Sequence, residues 1–460
     1  MQIWIKKEND MEPQDAWRES YIFSLNRDTY STIYTNLADA WYHMDQQVIE
    51  PLYEDLFVIG LSIFAVDKRV SRRLFTNCWT RNLSVSIPVI EYDKWNLCSE
   101  SWEKLLNFLT GDDWKISFRK TEKIYSLRNN PNRKHIDVSK CNCVSLFSGG
   151  LDSFCGAIKL LDEGKTPCFI GHNEYPKLRL KQEEFIEAFQ RKYSERKINF
   201  ISFSANSRAP KTCEGISLKG TENTSRGRSL LFLCAALSIA GILGNNVPVY
   251  IPENGFIGLN LPLTDSRKGT CSTRTTHPHF LREFNSIIKS VGIQNEIINF
   301  FAYSTKREIV DSVKENECFQ QFYSDTISCS HPCQARWNKN GNNRYPINCG
   351  YCYPCLIRKS SLMNCNDNPD TYSFSGDKIE FLNSFSETDK VNDLKAVLTA
   401  VYQSKRLADE DLKRKIKYTG RLNKDEVDWF LNVYRKTMAD LEEMFTKEEE
   451  FAEYLGMEKQ

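Results

Sequence analysis

The feature that most constrains the fold is an alternation in the middle of the chain. Five short apolar runs lie at residues 144–147, 168–171, 199–203, 247–251 and 297–301, and helix-favouring segments separate most of them. Alternation of this kind predicts an α/β fold with a parallel, doubly wound sheet covered by helices. With 460 residues, the chain is long enough for two or three domains. Residues 1–127 read as an N-terminal α+β accessory domain. There Leu83, Val85, Ile87 and Val89 alternate as in a half-buried strand, as do Trp114, Ile116 and Phe118. Residues 128–142 read as a linker, because the stretch LRNNPNRKHIDVSK is polar and rich in asparagine. Residues 143–368 hold the alternating region and a cysteine cluster. Residues 369–460 read as C-terminal helices, with Val427, Phe430, Leu431 and Tyr434 on one face.

Lysine plus arginine number 61 against 60 acidic residues, so no global basic surplus is available to coat a nucleic acid. The opening MQIWIKKEND lacks the apolar core of an export signal. The longest apolar run, LLFLCAALSIAGILG, is short for a membrane span of about 20 residues and predicts a buried helix. Together these predict a cytoplasmic protein that does not engage a membrane. In such a setting the 16 cysteines do not read as a disulfide framework.

The first apolar run ends in Ser148-Gly149-Gly150-Leu151-Asp152-Ser153 and an amphipathic segment follows. That puts the glycines at a strand-to-helix turn on the carboxyl edge of the sheet, where open α/β folds bind ligands. Glycines let backbone amides approach an anion, and a helix N-terminus adds unpaired N–H groups. Ser148 and Ser153 add hydroxyl donors. Asp152 repels a bare phosphate and makes sense beside a divalent cation. The turn is neither a Walker A loop nor a dinucleotide GxGxxG loop. A plain helix cap is the alternative for such a turn.

A second cluster follows Ser328. Cys349, Cys352 and Cys355 overlap as CxxCxxC, with Cys329 and Cys333 about twenty residues upstream and His331 between them. This spacing suits a closed tetrahedral zinc site whose fourth ligand is Cys329, Cys333 or His331. An iron–sulfur cluster, a redox pair and unliganded core cysteines are the alternatives.

SGGLDS at 148–153 resembles the SGGxDS signature of the PP-loop ATP pyrophosphatases. Ser328-Cys329 and CGYCYPCLIR at 349–358 then resemble the zinc element of the 7-cyano-7-deazaguanine synthase (QueC) branch. RGRSLLFL at 226–233 is similar to that branch's PGRNxLFL, and STKREIV at 304–310 to its KxEIV element. The resemblance covers roughly residues 143 to 360. It implies a HUP-like fold and the cofactors ATP, Mg2+ and Zn2+, with Cys329, Cys349, Cys352 and Cys355 as zinc ligands. It also implies that residues 148–153 hold the β- and γ-phosphates of ATP. The implied reaction is activation of a 7-carboxy-7-deazaguanine-type carboxylate as an adenylate, then amide formation with release of AMP, the work of a ligase. Lys306 matches the lysine of KxEIV, and Asp152 and Arg228 complete the expected catalytic set. His172 follows the second strand, where adenine is expected.

Glu253 and Asn254 follow the fourth strand at its carboxyl end and, with His277, are expected substrate contacts. The branch's GxNxxDxSGYPDCR stretch is poorly matched by residues 252–280. Long chains of this type resemble QueC-like proteins of bacterial antiphage systems such as Qat and type IV CBASS. That implies a defence role and a partner protein from the same operon as the amine donor. Two other readings stay open: a tRNA-modifying PP-loop enzyme, by thiolation or amidation, and a non-catalytic nucleotide-binding subunit. Thiolation calls for a nucleophilic cysteine near the loop, and Cys155 is the candidate.

Overall fold

The computed structural model describes residues 1–25, 31–44, 48–126, 135–173, 175–263, 274–334 and 345–454. Residues 128–134 of the expected linker and 264–273 of the poorly matched stretch lie outside them. Eleven strands are present among the described residues. They are β1 (Gln2–Lys7), β2 (Tyr21–Leu25), β3 (Ile33–Thr35), β4 (Asn82–Val89), β5 (Asp113–Lys120), β6 (Cys143–Leu146), β7 (Pro167–His172), β8 (Asn199–Phe203), β9 (Ala205–Ser207), β10 (Val249–Tyr250) and β11 (Ile297–Ile298).

The expected parallel sheet forms from β6, β7, β8, β10 and β11, in the order β11-β10-β6-β7-β8, with every neighbour parallel. The chain winds one way from β6 through β8 and the other way from β10 to β11. The strand order therefore reverses between β6 and β10, and the crevice at their carboxyl ends is the switch point where such sheets bind ligands. The two late strands are shorter than their apolar runs suggest. Pro252 has no N–H to donate, and the Glu253 N–H turns back to the Ile251 carbonyl at 3.1 Å and to the Asn299 side chain at 3.3 Å, so the ladder ends there.

The N-terminal region departs from the α+β expectation. β1, β2, β4 and β5 make a second sheet, order β2-β1-β4-β5, and all of its pairs are parallel. The helix Ser99–Thr110 crosses between β4 and β5, and a helical crossover of this kind returns the chain parallel. Period-2 alternation marks a half-buried strand but does not tell a parallel edge from an antiparallel one. In β5, Trp114, Ile116 and Phe118 are buried as the alternation requires. An antiparallel pair, β3 with β9, bridges the two sheet regions.

The two regions also share one core. The helix Pro51–Arg69 lies against the helix Arg226–Leu243, and a single cluster of buried side chains runs from Ile3 through Leu56 and Leu237 to Phe284. Arg226–Leu243 is long and apolar enough to cross a membrane, yet 67% of it is buried inside the protein. Its place between the two sheets accounts for the apolarity. The helices approach closely because two glycines face bulky partners. A Cβ on Gly60 would lie 2.6 Å from Cys234 Sγ, and one on Gly241 2.5 Å from the Tyr53 ring. Gly60→Val is accordingly expected to cost about 1–3 kcal/mol, measured as a lower denaturant midpoint at unchanged m-value.

The C-terminal helices build a separate cluster. Val427, Phe430, Leu431 and Tyr434 are buried as their spacing predicts, on the helix Lys424–Thr446. They pack with Phe256 and Leu356, so this helix braces both the chain after β10 and the helix Tyr353–Ser361 of the cysteine cluster.

Candidate active site at the sheet switch point

β6 runs into Phe147, buried among Phe154, Phe169, Phe185 and Phe189, and the chain then turns at Ser148-Gly149-Gly150 into the helix Leu151–Asp162. Gly149 has φ +83°, which glycine adopts without strain. Gln182, fully buried, donates to the carbonyls of Phe147 and Ser148 at 3.2 and 3.0 Å and fixes the turn from below. Ser148 Oγ and Ser153 Oγ lie 3.1 Å apart, and the Ser153 hydroxyl donates to the Gly150 carbonyl. Gly150 at the N-cap offers no side chain to the first turn, and its own N–H donates to Ser148 Oγ at 3.3 Å.

The turn opens on a cleft of about 330 Å3 at the switch point. Behind it lies a second chamber of about 300 Å3. Ser148, Ser153, Arg228 and Glu253 line both, so they form the shared rim. At the floor of the cleft Lys306 Nζ sits 2.6 Å from Asp152 Oδ1, and Asn254 Nδ2 donates to Asp152 Oδ2 at 2.7 Å and to Glu253 at 3.3 Å. Burial pushes the Asp152 carboxyl up, but the Lys306 ammonium and the hydrogen bonds around it hold it below its usual range. Glu253 is pushed well above its range by burial and then by the Asp152 charge. Asp152 and Glu253 place two carboxyl groups side by side at the turn, oxygen donors of the kind a divalent cation such as Mg2+ takes once both are deprotonated.

Thr305 caps the short helix that presents Lys306, and Glu308 completes its capping box. The residues expected from sequence divide as follows. Ser148, Gly150, Leu151, Asp152, Ser153, Arg228, Glu253 and Lys306 line the cleft, and Gly149 supports the turn. His172 lines the second chamber. Its Nε2 is buried and has no hydrogen-bond partner among the described residues, and burial, then the charges of Arg228 and Lys68, lower its pKa to about 3, so the imidazole is neutral.

Two expected substrate contacts are corrected. Asn254 is fully buried; its Oδ1 caps the helix Gly255–Leu259 and its amide orients Asp152, so it positions rather than contacts. His277 lines neither chamber. Its Nδ1 accepts from the His279 N–H as the cap of the helix Pro278–Ser290, its Nε2 meets Thr419 Oγ1 at 3.0 Å, and its ring packs edge-on against Phe108. A histidine that caps a helix and one that binds a ligand look alike in sequence. The neighbours Thr275 and Thr276 line the chamber instead, with Thr276 Oγ1 buried and without a partner among the described residues.

His277 also supplies a stability prediction. Burial first, then His279, Arg274 and Arg282, lower its pKa to about 3. The folded protein keeps this imidazole neutral, whereas the unfolded chain protonates it near pH 6.5. Stability therefore falls as pH drops from about 6.5 towards 3, by about 1.4 kcal/mol per pH unit for each such histidine. His277→Asn, which keeps an N-cap acceptor, is expected to reduce that slope by one histidine's share in urea unfolding at pH 7, 6 and 5.

The cysteine cluster adjoins the turn. The Sγ atoms of Cys329, Cys349, Cys352 and Cys355 all lie within 4.8 Å of one another and could hold a metal ion. Two of the separations, Cys329–Cys352 and Cys349–Cys355, are 3.9 Å. A tetrahedral ion with Zn–S bonds of about 2.3 Å requires sulfurs about 3.8 Å apart. Cys329 Sγ accepts backbone N–H bonds from His331 and Cys349 at 3.2 Å each, and Cys349 Sγ accepts one from Cys352 at 3.3 Å. The residues fit a single ion such as zinc, with Cys329 rather than Cys333 or His331 in the quartet.

Sequence reasoning missed the link between the two motifs. Ser328, next to Cys329, accepts from the Leu151 N–H at 3.1 Å, and Ile327 N–H donates to the Gly149 carbonyl at 3.1 Å. The metal element thus holds the turn. The segment before Ile327 is held in turn by Arg358, fully buried, which donates to Thr326 Oγ1 and the Tyr323 carbonyl. The Ser-Cys pair at 328–329 was the available signal, but only the fold reveals which backbone the serine meets.

No family model matches the chain, and no curated protein matches it.

Proposed function

We propose that this chain is an ATP-dependent ligase that forms AMP and pyrophosphate, activating a 7-carboxy-7-deazaguanine-type carboxylate for amide formation. The observation that carries the reading is the joint placement of three features at the switch point: the SGGLDS turn, the buried Asp152–Lys306 pair, and a second chamber sharing their rim. Two connected chambers suit a reaction that brings a nucleotide and an acid together. The turn would grip the β- and γ-phosphates. The His172 chamber, with Phe232 and Leu233 in its wall, would take the base.

A carboxylate oxygen attacks the α-phosphorus, the bond to the bridging oxygen breaks, and pyrophosphate leaves with the electron pair. An amine then attacks the acyl carbon, AMP leaves, and a proton is lost from nitrogen. Lys306 and Arg228 would offset the charge that develops on phosphorus and on the departing pyrophosphate. Asp152 and Glu253 would hold Mg2+, which supplies further charge neutralisation when bound. The four-cysteine element would hold Zn2+ as a structural ion.

The thiolation alternative is disfavoured by Cys155, which is fully buried and whose thiol is pushed up by burial and then by Asp152. The antiphage setting, the cytoplasmic location, the HUP-like assignment and a partner protein as amine donor rest on the sequence resemblance and belong to the same proposal. The test is pyrophosphate release from ATP with and without 7-carboxy-7-deazaguanine. Release that depends on this acid supports the reading. Release indifferent to it removes the deazaguanine assignment, and no release with any acceptor favours a nucleotide-binding subunit.

A further inference from the structure

The helix Arg226–Leu243 carries Arg228 on its first turn, yet its own N-cap, Ser225, makes no side-chain cap bond. The cap comes from the other sheet region. Asp67, in the last turn of the helix Pro51–Arg69 and 1% exposed, accepts from the Gly227 N–H and from Thr224 Oγ1, both at 2.9 Å. Gly227 permits this approach, since a Cβ there would come within 3.0 Å of Asp67 and of the Phe64 backbone. The Asp67 carboxylate is itself fixed. Its Oδ1 takes a 2.6 Å bond from Arg81, which is fully buried and held by Asp112 and the carbonyls of Asp67 and Val70.

The rest of the segment 222–228 is tied to the same region. Glu222 N–H donates to the Lys68 carbonyl at 2.9 Å, the Glu222 carboxylate accepts from the Arg72 N–H at 2.9 Å, and Arg226 donates to the Thr110 carbonyl. The opposite wall of the second chamber is braced similarly, by Arg274 donating to the Phe108 carbonyl at 2.9 Å just before Thr275 and Thr276. A region that only docked beside the α/β sheet would not need buried charge pairs aimed at the segment bearing a cleft residue.

We propose that the N-terminal sheet region is part of the catalytic unit and that Asp67 is a positioning residue, capping the segment 224–228 from across the interface so that Arg228 is held at the rim of both chambers. The inference rests on the reading that Arg228 acts on the phosphates, but its geometry can be tested apart from that reading.

The experiment uses the full chain carrying Asp67→Asn, Thr224→Val, Arg228→Met, and Asp67→Asn with Arg228→Met. Amide hydrogen exchange over residues 226–231 is expected to speed about tenfold or more in Asp67→Asn and several-fold in Thr224→Val, with the interior of the same helix unchanged. Pyrophosphate release by Asp67→Asn is expected to show a KM for ATP raised about tenfold, and the double variant no further loss than Arg228→Met alone. Unchanged exchange in both single variants would overturn the proposal whatever the activity. So would losses that multiply in the double variant, or a lowered melting temperature with KM and kcat intact. A wild-type chain that releases no pyrophosphate would defeat the proposed reaction and leave the exchange result to decide this inference.

Discussion

Lys306→Met is expected to cost about 3–5 kcal/mol of stability and to lower pyrophosphate release about a hundred- to a thousandfold. The ammonium, 5% exposed, lies 2.6 Å from Asp152 Oδ1 and is the cation paired with that buried carboxylate. Removing it leaves an uncompensated charge next to a second carboxyl group, Glu253. The stability loss and the activity loss separate in a second variant. Lys306→Met with Asp152→Asn removes both charges, so it is expected to recover most of the stability in urea unfolding while activity stays lost. Equal instability in the single and double variants would show that the pair is not energetically coupled. Activity recovered along with stability would show that neither group serves the reaction.

Removing the metal is expected to have the second large effect. The four sulfurs are close enough for one ion, and the segment that carries Cys329 also carries the Ser328 and Ile327 bonds to Leu151 and Gly149. Structural zinc contributes about 10–16 kcal/mol of apparent binding free energy in small finger domains, so a loss of several kcal/mol is expected here. Protein as purified should carry one zinc per chain by elemental analysis. Prolonged chelation, or Cys352→Ser, should lower the melting temperature and speed hydrogen exchange at residues 149–153, whereas Cys333→Ser should keep the zinc. A chain that holds no zinc, or a turn indifferent to chelation, would contradict the linkage.

The legible part of the molecule was the part written in local pattern. The apolar runs of the second sheet, the glycine turn and the CxxCxxC spacing each sit within a few residues, so period and spacing expose them. Lys306 and Arg228 were legible through the short segments STKREIV and RGRSLLFL that carry the resemblance. What sequence did not expose is long-range. The Asp67–Gly227 cap joins residues 160 positions apart, and the Ser328–Leu151 bond spans 177. The parallel pairing of β1 with β4 is likewise set by helical crossovers rather than by alternation. His277 misled because its cap role and a ligand role use the same ring nitrogen, and Asn254 because its amide faces Asp152 rather than the cleft.

The central claim is that residues 148–153 hold the terminal phosphates of ATP with the base in the His172 chamber. A crystal structure of the full chain with a non-hydrolysable ATP analogue and magnesium tests this most directly. The account predicts β- and γ-phosphate oxygens within hydrogen-bond distance of Ser148, Ser153 and the backbone N–H groups of the turn, with Arg228 at the α-phosphate side. A triphosphate bound elsewhere, or these hydroxyls left without a phosphate partner at saturating analogue, would contradict it.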